Sequence, residues 1–326
     1  MRQSPSDPDP VPEAPDQQSL GAAELRTQRV SVIVPTYRRP QALNACLQAL
    51  ERQTYRGDWE LIIVDDGSPI PVSVKSTGHF PCTVIRQNNA GPSAARNRGV
   101  QAARGEWIAC TDDDCLPEPT WLETLMQMAT QHPDALIGGT TVNGLVNDPY
   151  AATSQLIVDL VYEHFNADPK NAYFFASNNI LCRRDQFLAL DGFDESFEIA
   201  SEDRDFCDRW RIRGWPMIWQ PEAKIEHRHG QSLLKFIHLH FRYGRGAYRY
   251  QLIRRLRGSG TMKQDIGFHQ LLPKRVWRRC RKIRNPIQRV HTLANLCLWQ
   301  IINVIGFAAE GLIARFSPRK DRVSSL

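Results

Sequence analysis

Three consecutive aspartates, Asp112, Asp113 and Asp114, follow directly on the apolar run Trp107-Ile108-Ala109-Cys110-Thr111. Holding three carboxylates at the exit of a buried strand costs electrostatic energy that a cation or solvent has to offset. A divalent metal is one such partner. The competing reading is a solvated acidic turn that opens the next helix, because aspartate accepts hydrogen bonds from helix N-terminal amides. A second acidic group, Ser201-Glu202-Asp203-Arg204-Asp205, begins a helical pattern that runs to about Arg213. Ser201 reads as an N-cap with acids in the first turn, and capping alone would account for Glu202 and Asp203.

These groups need elements to position them. Residues 30 to 34 and 60 to 64 are short apolar, β-branched runs, the first ending at Pro35-Thr36-Tyr37-Arg38 and the second at Asp65-Asp66-Gly67-Ser68. A helical pattern spans Pro40 to about Gln53, a third strand is expected at Thr83 to Arg86, a helix at Pro92 to Ala103, and a fourth strand at Trp107 to Cys110. Nearly continuous apolar strands alternating with helices predict an α/β fold with a mostly parallel sheet covered on both faces. Ligands of such sheets bind at the carboxyl ends of the strands, where the polar groups named above converge. Further strands are expected at Ile137 to Val142 and across Phe174 to Arg183, the latter broken by Ser177-Asn178-Asn179; turns are expected at Gly192-Phe193-Asp194-Glu195 and Pro221-Glu222.

The ends of the chain differ in composition. Residues 1 to 28 are rich in proline and acid and predict a flexible tail; they carry no basic start followed by an apolar stretch, so a signal peptide is not expected. The catalytic domain is expected over 29 to 230 and a basic helical extension over 231 to 326, with Leu233 to Tyr250 helical. In that extension Lys274, Arg275, Arg278, Arg279, Arg281 and Lys282 precede an apolar run from about Val290 to Phe316. Asn295, Asn303 and Glu310 make a polar stripe on this run, which suits a helix lying on an anionic membrane surface; packing on the catalytic domain or a dimer contact is the alternative. The eight cysteines lack paired spacing and suit reduced thiols in the cytoplasm. Apolar content of 42% and a net charge of +6 fit a folded, modestly basic chain.

The ordered series Val30-Ser-Val-Ile-Val-Pro-Thr-Tyr, Ile63-Val-Asp-Asp-Gly-Ser, Asn89-Ala-Gly-Pro-Ser-Ala-Ala-Arg-Asn-Arg-Gly, Thr111-Asp-Asp-Asp and Gly192-Phe-Asp-Glu with Ser201-Glu-Asp resembles the family 2 inverting glycosyltransferases of GT-A fold over roughly residues 30 to 230. The resemblance implies that Pro35, Thr36, Tyr37, Asp65 and Asp66 hold the base and ribose of a nucleotide-sugar, with Arg96 and Asn97 along the same pocket. It implies that Asp112 and Asp114 hold Mg²⁺ or Mn²⁺ on the diphosphate, that Asp113 points away or aids the sugar, and that His227, rather than His229, completes the metal shell. Asp203, supported by Glu202, would be the catalytic base. The expected partners are a UDP-sugar donor, a glycan or lipid-linked acceptor in cell-envelope or polysaccharide synthesis, and a membrane surface at the inner face of the plasma membrane.

The Gln-x-x-Arg-Trp signature of processive synthases is missing, Trp210-Arg211-Ile212-Arg213-Gly214-Trp215 standing in its region, so single-sugar addition is expected. Two other functions compete. A nucleotidyltransferase would carry a glycine-rich loop after the first strand, where Pro35-Thr36-Tyr37-Arg38-Arg39 has none. A nucleic-acid-binding protein is suggested by basic residues alternating with Phe241, Tyr243, Tyr248 and Tyr250, but the acidic rim would repel phosphate, and nucleic acid is not expected as a partner.

Overall fold

The structure is a computed structural model that describes residues 29–74 and 80–316; the expected tail over 1 to 28 lies outside them. Eight strands form one mixed sheet: β1 (Val30–Thr36), β2 (Trp59–Asp65), β3 (Cys82–Arg86), β4 (Trp107–Cys110), β5 (Cys115–Pro117), β6 (Leu136–Asn143), β7 (Ile180–Arg183) and β8 (Met217–His227), in the order β3-β2-β1-β4-β7-β6-β8-β5. The half from β3 to β4 is parallel, as the apolar runs predict. Beyond it β7 runs antiparallel to β4 and β6, and β5 antiparallel to β8, so the sheet is less uniformly parallel than expected.

Side chains of a strand point alternately to the two faces, and β1 and β2 show why their runs are continuously apolar. Val30, Val32, Val34, Leu61 and Ile63 enter a core on one face with helices α1 (Pro40–Leu50) and, two helices later, α3 (Trp121–Gln131). Ile33, Ile62 and Val64 enter a second core on the other, beside α2 (Pro92–Ala102). Three further helices follow along the chain, α4 (Pro149–Phe165), α5 (Arg184–Ala189) and α6 (Glu202–Ile212). Phe206, Cys207 and Trp210 of α6 join the second core.

Three helices close the described chain: α7 (Leu233–Arg257), α8 (Met262–Cys280) and α9 (Pro286–Phe316). With α4 they build a third core from Ile157, Leu160, Phe236, Phe268, Leu272, Leu296 and Trp299. Helices α7 and α9 meet main chain to main chain: a methyl group on Gly244 would lie 2.1 Å from the Asn303 carbonyl oxygen, and one on Gly306 would lie 2.2 Å from that of Phe241.

Several expectations are corrected. Phe174 to Arg183 is not one broken strand, since only Ile180–Arg183 pairs. Pro221-Glu222 is not a free turn: it lies inside β8, where Gly138 pairs with Trp219 but Thr140 pairs with Lys224, so the extra β8 residues loop out of register. The stripe of Asn295 and Glu310 faces the protein, not a headgroup layer. Glu310 is buried and paired with Arg245 at 2.7 Å, and Asn295 donates to Thr153 Oγ1 at 3.3 Å. Arg278 and Arg279 pair with Glu163 on α4, with their side chains still 58% and 38% exposed. The outward face of α9 is instead apolar, with Ile301, Val304, Ile305, Leu312 and Ile313 exposed. By length and composition α9 is the one described helix long and apolar enough to cross a membrane.

Candidate active site

A cavity of about 950 Å³ opens at the carboxyl ends of β1, β2 and β4 and is lined by Pro35, Thr36, Tyr37, Asp66, Arg96 and all three aspartates 112 to 114. Glu202 and Asp203 line the same cavity. The strand pairings explain the convergence: Thr36 lies opposite Asp65, and Cys110, two residues before the aspartates, lies opposite Ile33. After Asp114 the chain enters β5, and the next helix starts at Trp121. The acidic run is therefore not the start of a helix.

Each aspartate has its own surroundings. Asp113 is buried, accepts from Thr36 Oγ1 at 2.7 Å and from Arg39 Nη1 at 3.0 Å, and burial pushes its carboxyl up to about 6. Asp114 accepts from Arg39 Nη1 at 2.6 Å and faces His227 Nε2 at 3.3 Å and His229 Nδ1 at 3.2 Å. Burial would raise Asp114, but hydrogen bonds from the two histidines, with the charges of His227 and Arg39, hold it well below the usual carboxylate range. Asp112 stands apart, 2.5 Å from Arg96 Nη2.

Asp114, His227 and His229 offer ligand atoms that all lie within 4.8 Å of one another, a group that could hold a metal ion. One carboxylate and two imidazoles suit a divalent ion, so the residues fit. Two features differ from the expected ligand set: Asp112 is engaged by Arg96, and His229 joins His227 at Asp114. The alternation along the chain explains the second point. His227 ends β8 and pairs with Cys115, and the Arg228 amide donates to the Asp114 carbonyl at 2.8 Å, which lays this segment against the aspartates with both imidazoles on one side.

Asp66 accepts from the amides of Ala90 and Gly91, both at 2.9 Å, while lining the cavity. Asp65 and Asn97 do not line it. Asp65 is fully buried, bonded to Arg86 at 2.7 Å and to the Ser68 amide at 2.9 Å. Asn97 holds the Gly192 turn: it accepts from the Phe193 amide and donates to the Phe193 carbonyl, each at 2.8 Å. Gly192 has φ +68° and a Cβ there would lie 2.4 Å from Asn97 Oδ1, so only glycine fits. These two polar residues are consumed by the loops that shape the rim.

Arg96 spans the two acidic groups. Its side chain is 4% exposed, it bonds Asp112, and its Nη1 lies 3.9 Å from Glu202 Oε1. Its Nε and Nη1 are buried without a hydrogen-bond partner among the described residues. Ser201, expected as a capping side chain, makes no side-chain cap; it sits at φ +81°, a left-handed conformation costly for a non-glycine residue. That strained residue opens the helix with Glu202 and Asp203 lining the cavity, while Asp203 Oδ1 also accepts from the Arg204 amide at 2.8 Å. Burial, reinforced by the neighbouring charge of Glu202, pushes the Asp203 carboxyl up to about 7, and burial also raises Glu202, whose side chain is 16% exposed. Sequence reasoning missed Arg39, which carries no motif signal, and placed His229 second to His227.

A mixed sheet with an acidic rim at its strand ends defines a GT-A-type α/β domain. The fold matches that of a mannosyltransferase from Pyrobaculum calidifontis solved in complex with GDP-Man and Mn²⁺, at a TM-score of 0.52 and 16% identity over 92% of this chain and 84% of that one. Residues 31–189 match the family described as Glycosyl transferase family 2, and this part of the chain belongs to that family. The chain is 39% identical over 106 residues to an uncharacterized glycosyltransferase of Haemophilus influenzae, a match covering 32% of this chain and 36% of the relative. It is 28% identical over 238 residues to a glucosyl-dolichyl phosphate glucuronosyltransferase of Haloferax volcanii, covering 66% of this chain and 74% of the relative.

Proposed function

We propose that the chain is an inverting, metal-dependent glycosyltransferase that moves one sugar at a time from a nucleotide-sugar, with UDP as the carrier, to a glycan or lipid-linked acceptor. The observation that carries this reading is one cavity lined both by Arg96, the aspartates 112 to 114, His227 and His229 and by Asp203, whose carboxyl is raised by burial. On the donor side, Arg96 has buried N–H groups awaiting an acceptor, and Asp114, His227 and His229 would hold the ion. When bound, Mg²⁺ or Mn²⁺ offsets charge on the leaving diphosphate; the two imidazoles favour Mn²⁺ of the pair. Asp66, Pro35, Thr36 and Tyr37 would frame the base and ribose, and Asp113 would face the sugar.

On the acceptor side Asp203, supported by Glu202, would take the hydroxyl proton as that oxygen attacks the anomeric carbon. The bond from that carbon to the phosphate oxygen then breaks, and the nucleoside diphosphate leaves. A base pushed up to about 7 is well matched to proton transfer near neutral pH. Residues 29 to 230 would be the catalytic unit and the later helices a membrane-facing extension, placing the enzyme at the cytoplasmic face of the membrane in envelope polysaccharide synthesis.

The test is thermal stability with a panel of nucleoside diphosphates, each with and without Mn²⁺, since a ligand of the native state raises the melting temperature. One diphosphate giving a metal-dependent shift supports the reading and identifies the carrier. No shift with any nucleotide from folded protein overturns it.

A further inference from the structure

The cavity does not end at the acidic rim. Past Glu202 and Asp203 it continues between the C-terminal helices, where its walls are Ile157 and Val161 of α4, Leu239 of α7, Ile266 of α8, and Trp299 and Phe307 of α9. A nucleotide-sugar engaged at the strand ends has no use for such a lobe. His240, which lines it, is buried, lies 3.3 Å from Ser154 Oγ, and is held down to about 4 by burial, so the ring is neutral.

The lobe has an apolar way out. Met262 and Ile266 line the cavity and are exposed at the surface of α8. A contact of 3.3 Å between Gln300 Nε2 and His269 Nδ1 sets that edge of α8 against α9. The next outward residues of α9 are Ile301, Val304 and Ile305, all exposed. Met262 and Ile266 thus give the cavity an exposed apolar edge on α8, and the neighbouring α9 carries its own exposed apolar residues.

We propose that this inner lobe houses the hydrocarbon chain of a lipid-linked acceptor, whose head would then lie against Asp203; the inference rests on the transferase reading above. Moving methylenes from water to such walls is favourable in proportion to the apolar area buried, which selects a chain over a free glycan. The polar residues on these helices that line the cavity include Ser154, Gln155 and His240, and they are engaged with the protein: Ser154 Oγ lies 3.3 Å from His240 Nε2, and Gln155 Nε2 donates to the Thr141 carbonyl at 2.8 Å and to Asp159 at 2.9 Å, which leaves a glycan fewer partners than the apolar walls leave a hydrocarbon chain. The exposed apolar strip on α9 provides continuity with a bilayer, from which the chain can enter without crossing water.

The test uses the full chain in detergent, with short alkyl phosphates, a polyprenyl phosphate and inorganic phosphate as probes, read by competition with a fluorescent lipid analogue. The expected result is affinity that rises with chain length, no competition by inorganic phosphate, and a loss of at least about tenfold in Val161→Trp and in Leu239→Trp, about 1.4 kcal/mol. Both variants should keep the Mn²⁺-dependent nucleotide shift, which certifies that they fold. Affinity independent of chain length, or unchanged in both filled variants, overturns the inference while the nucleotide shift leaves the transferase reading standing. Absence of the nucleotide shift in the unmodified protein overturns both.

Discussion

Arg96 Nη2 lies 2.5 Å from Asp112 Oδ1, and the other guanidinium nitrogen of the same side chain lies 3.9 Å from Glu202, so one buried cation ties the strand-end aspartates to the acidic start of α6. Burial disfavours a charged guanidinium, yet Asp112 and Glu202 more than reverse that effect and raise its affinity for the proton. Removing one partner of a buried pair costs about 3–5 kcal/mol, and because Asp112 is 27% exposed the lower end applies. Arg96→Met should therefore lose about 3 kcal/mol in denaturant unfolding and also lower kcat. Arg96→Lys should recover stability better than turnover, since an ammonium cannot reach both acids in the same planar geometry.

The pH profile follows from Asp203. In the proposed role of base it must be ionised, so kcat should rise with pH through about 7, and Asp203→Asn should flatten the profile and lower kcat by about 10²–10⁴-fold. Stability moves the other way. The folded carboxyl is raised above its unfolded value, so its contribution is fully present below the ordinary carboxylate range and is lost as pH rises through about 7. Asp203→Asn should accordingly melt higher than the parent at pH 8 but not at pH 4, a difference that calorimetry reads directly.

Metal binding should sort the aspartates. Asp114→Ala and His229→Ala should each abolish the melting shift produced by Mn²⁺ alone, which for a site at a hundredfold excess over Kd amounts to about 2.7 kcal/mol. Asp112→Ala should retain most of that shift, because its carboxylate is held by Arg96 and lies outside the ligand group. Equal losses in all three variants would return Asp112 to the coordination shell.

Asn97 offers a contrast between motif and role. Asn97→Ala strips the Phe193 turn of two main-chain hydrogen bonds and should cost about 1–3 kcal/mol. The KM for donor should stay within about twofold, since the side chain does not reach the cavity. A large KM effect with unchanged stability would reverse this assignment.

What the sequence made legible follows local physics. β1, β2 and β4 are buried on both faces, so their apolar runs could hardly be anything but strands, and the carboxylates at their ends had to share one rim. β8 was hidden because its residues 220 to 223 leave register around Pro221, which looks like a turn in one dimension. Arg39 and His229 act through distant partners, Asp113 and Asp114, that no spacing rule connects to them. Asp65 and Asn97 misled for the opposite reason: polar residues beside a site can be spent on the loops that frame it. The polar stripe on α9 was visible, but only the position of α7, which brings Arg245 to Glu310, decides which way it faces.

That orientation is itself testable. Ile301→Glu with Ile305→Glu places charge on the exposed face of α9 and should abolish cosedimentation with anionic vesicles while leaving the melting temperature within about 2 °C, as surface changes usually cost under about 0.5 kcal/mol.

Where α7 and α9 touch through Gly244 and Gly306 there are no side chains to slide or re-pack between them. The two helices are consequently a single lever: α9 carries the outward strip, while α7 carries Leu239 and His240 into the chamber. A tilt of α9 is therefore expected to carry α7 with it, and with α7 the wall of the cavity that Leu239 and His240 line.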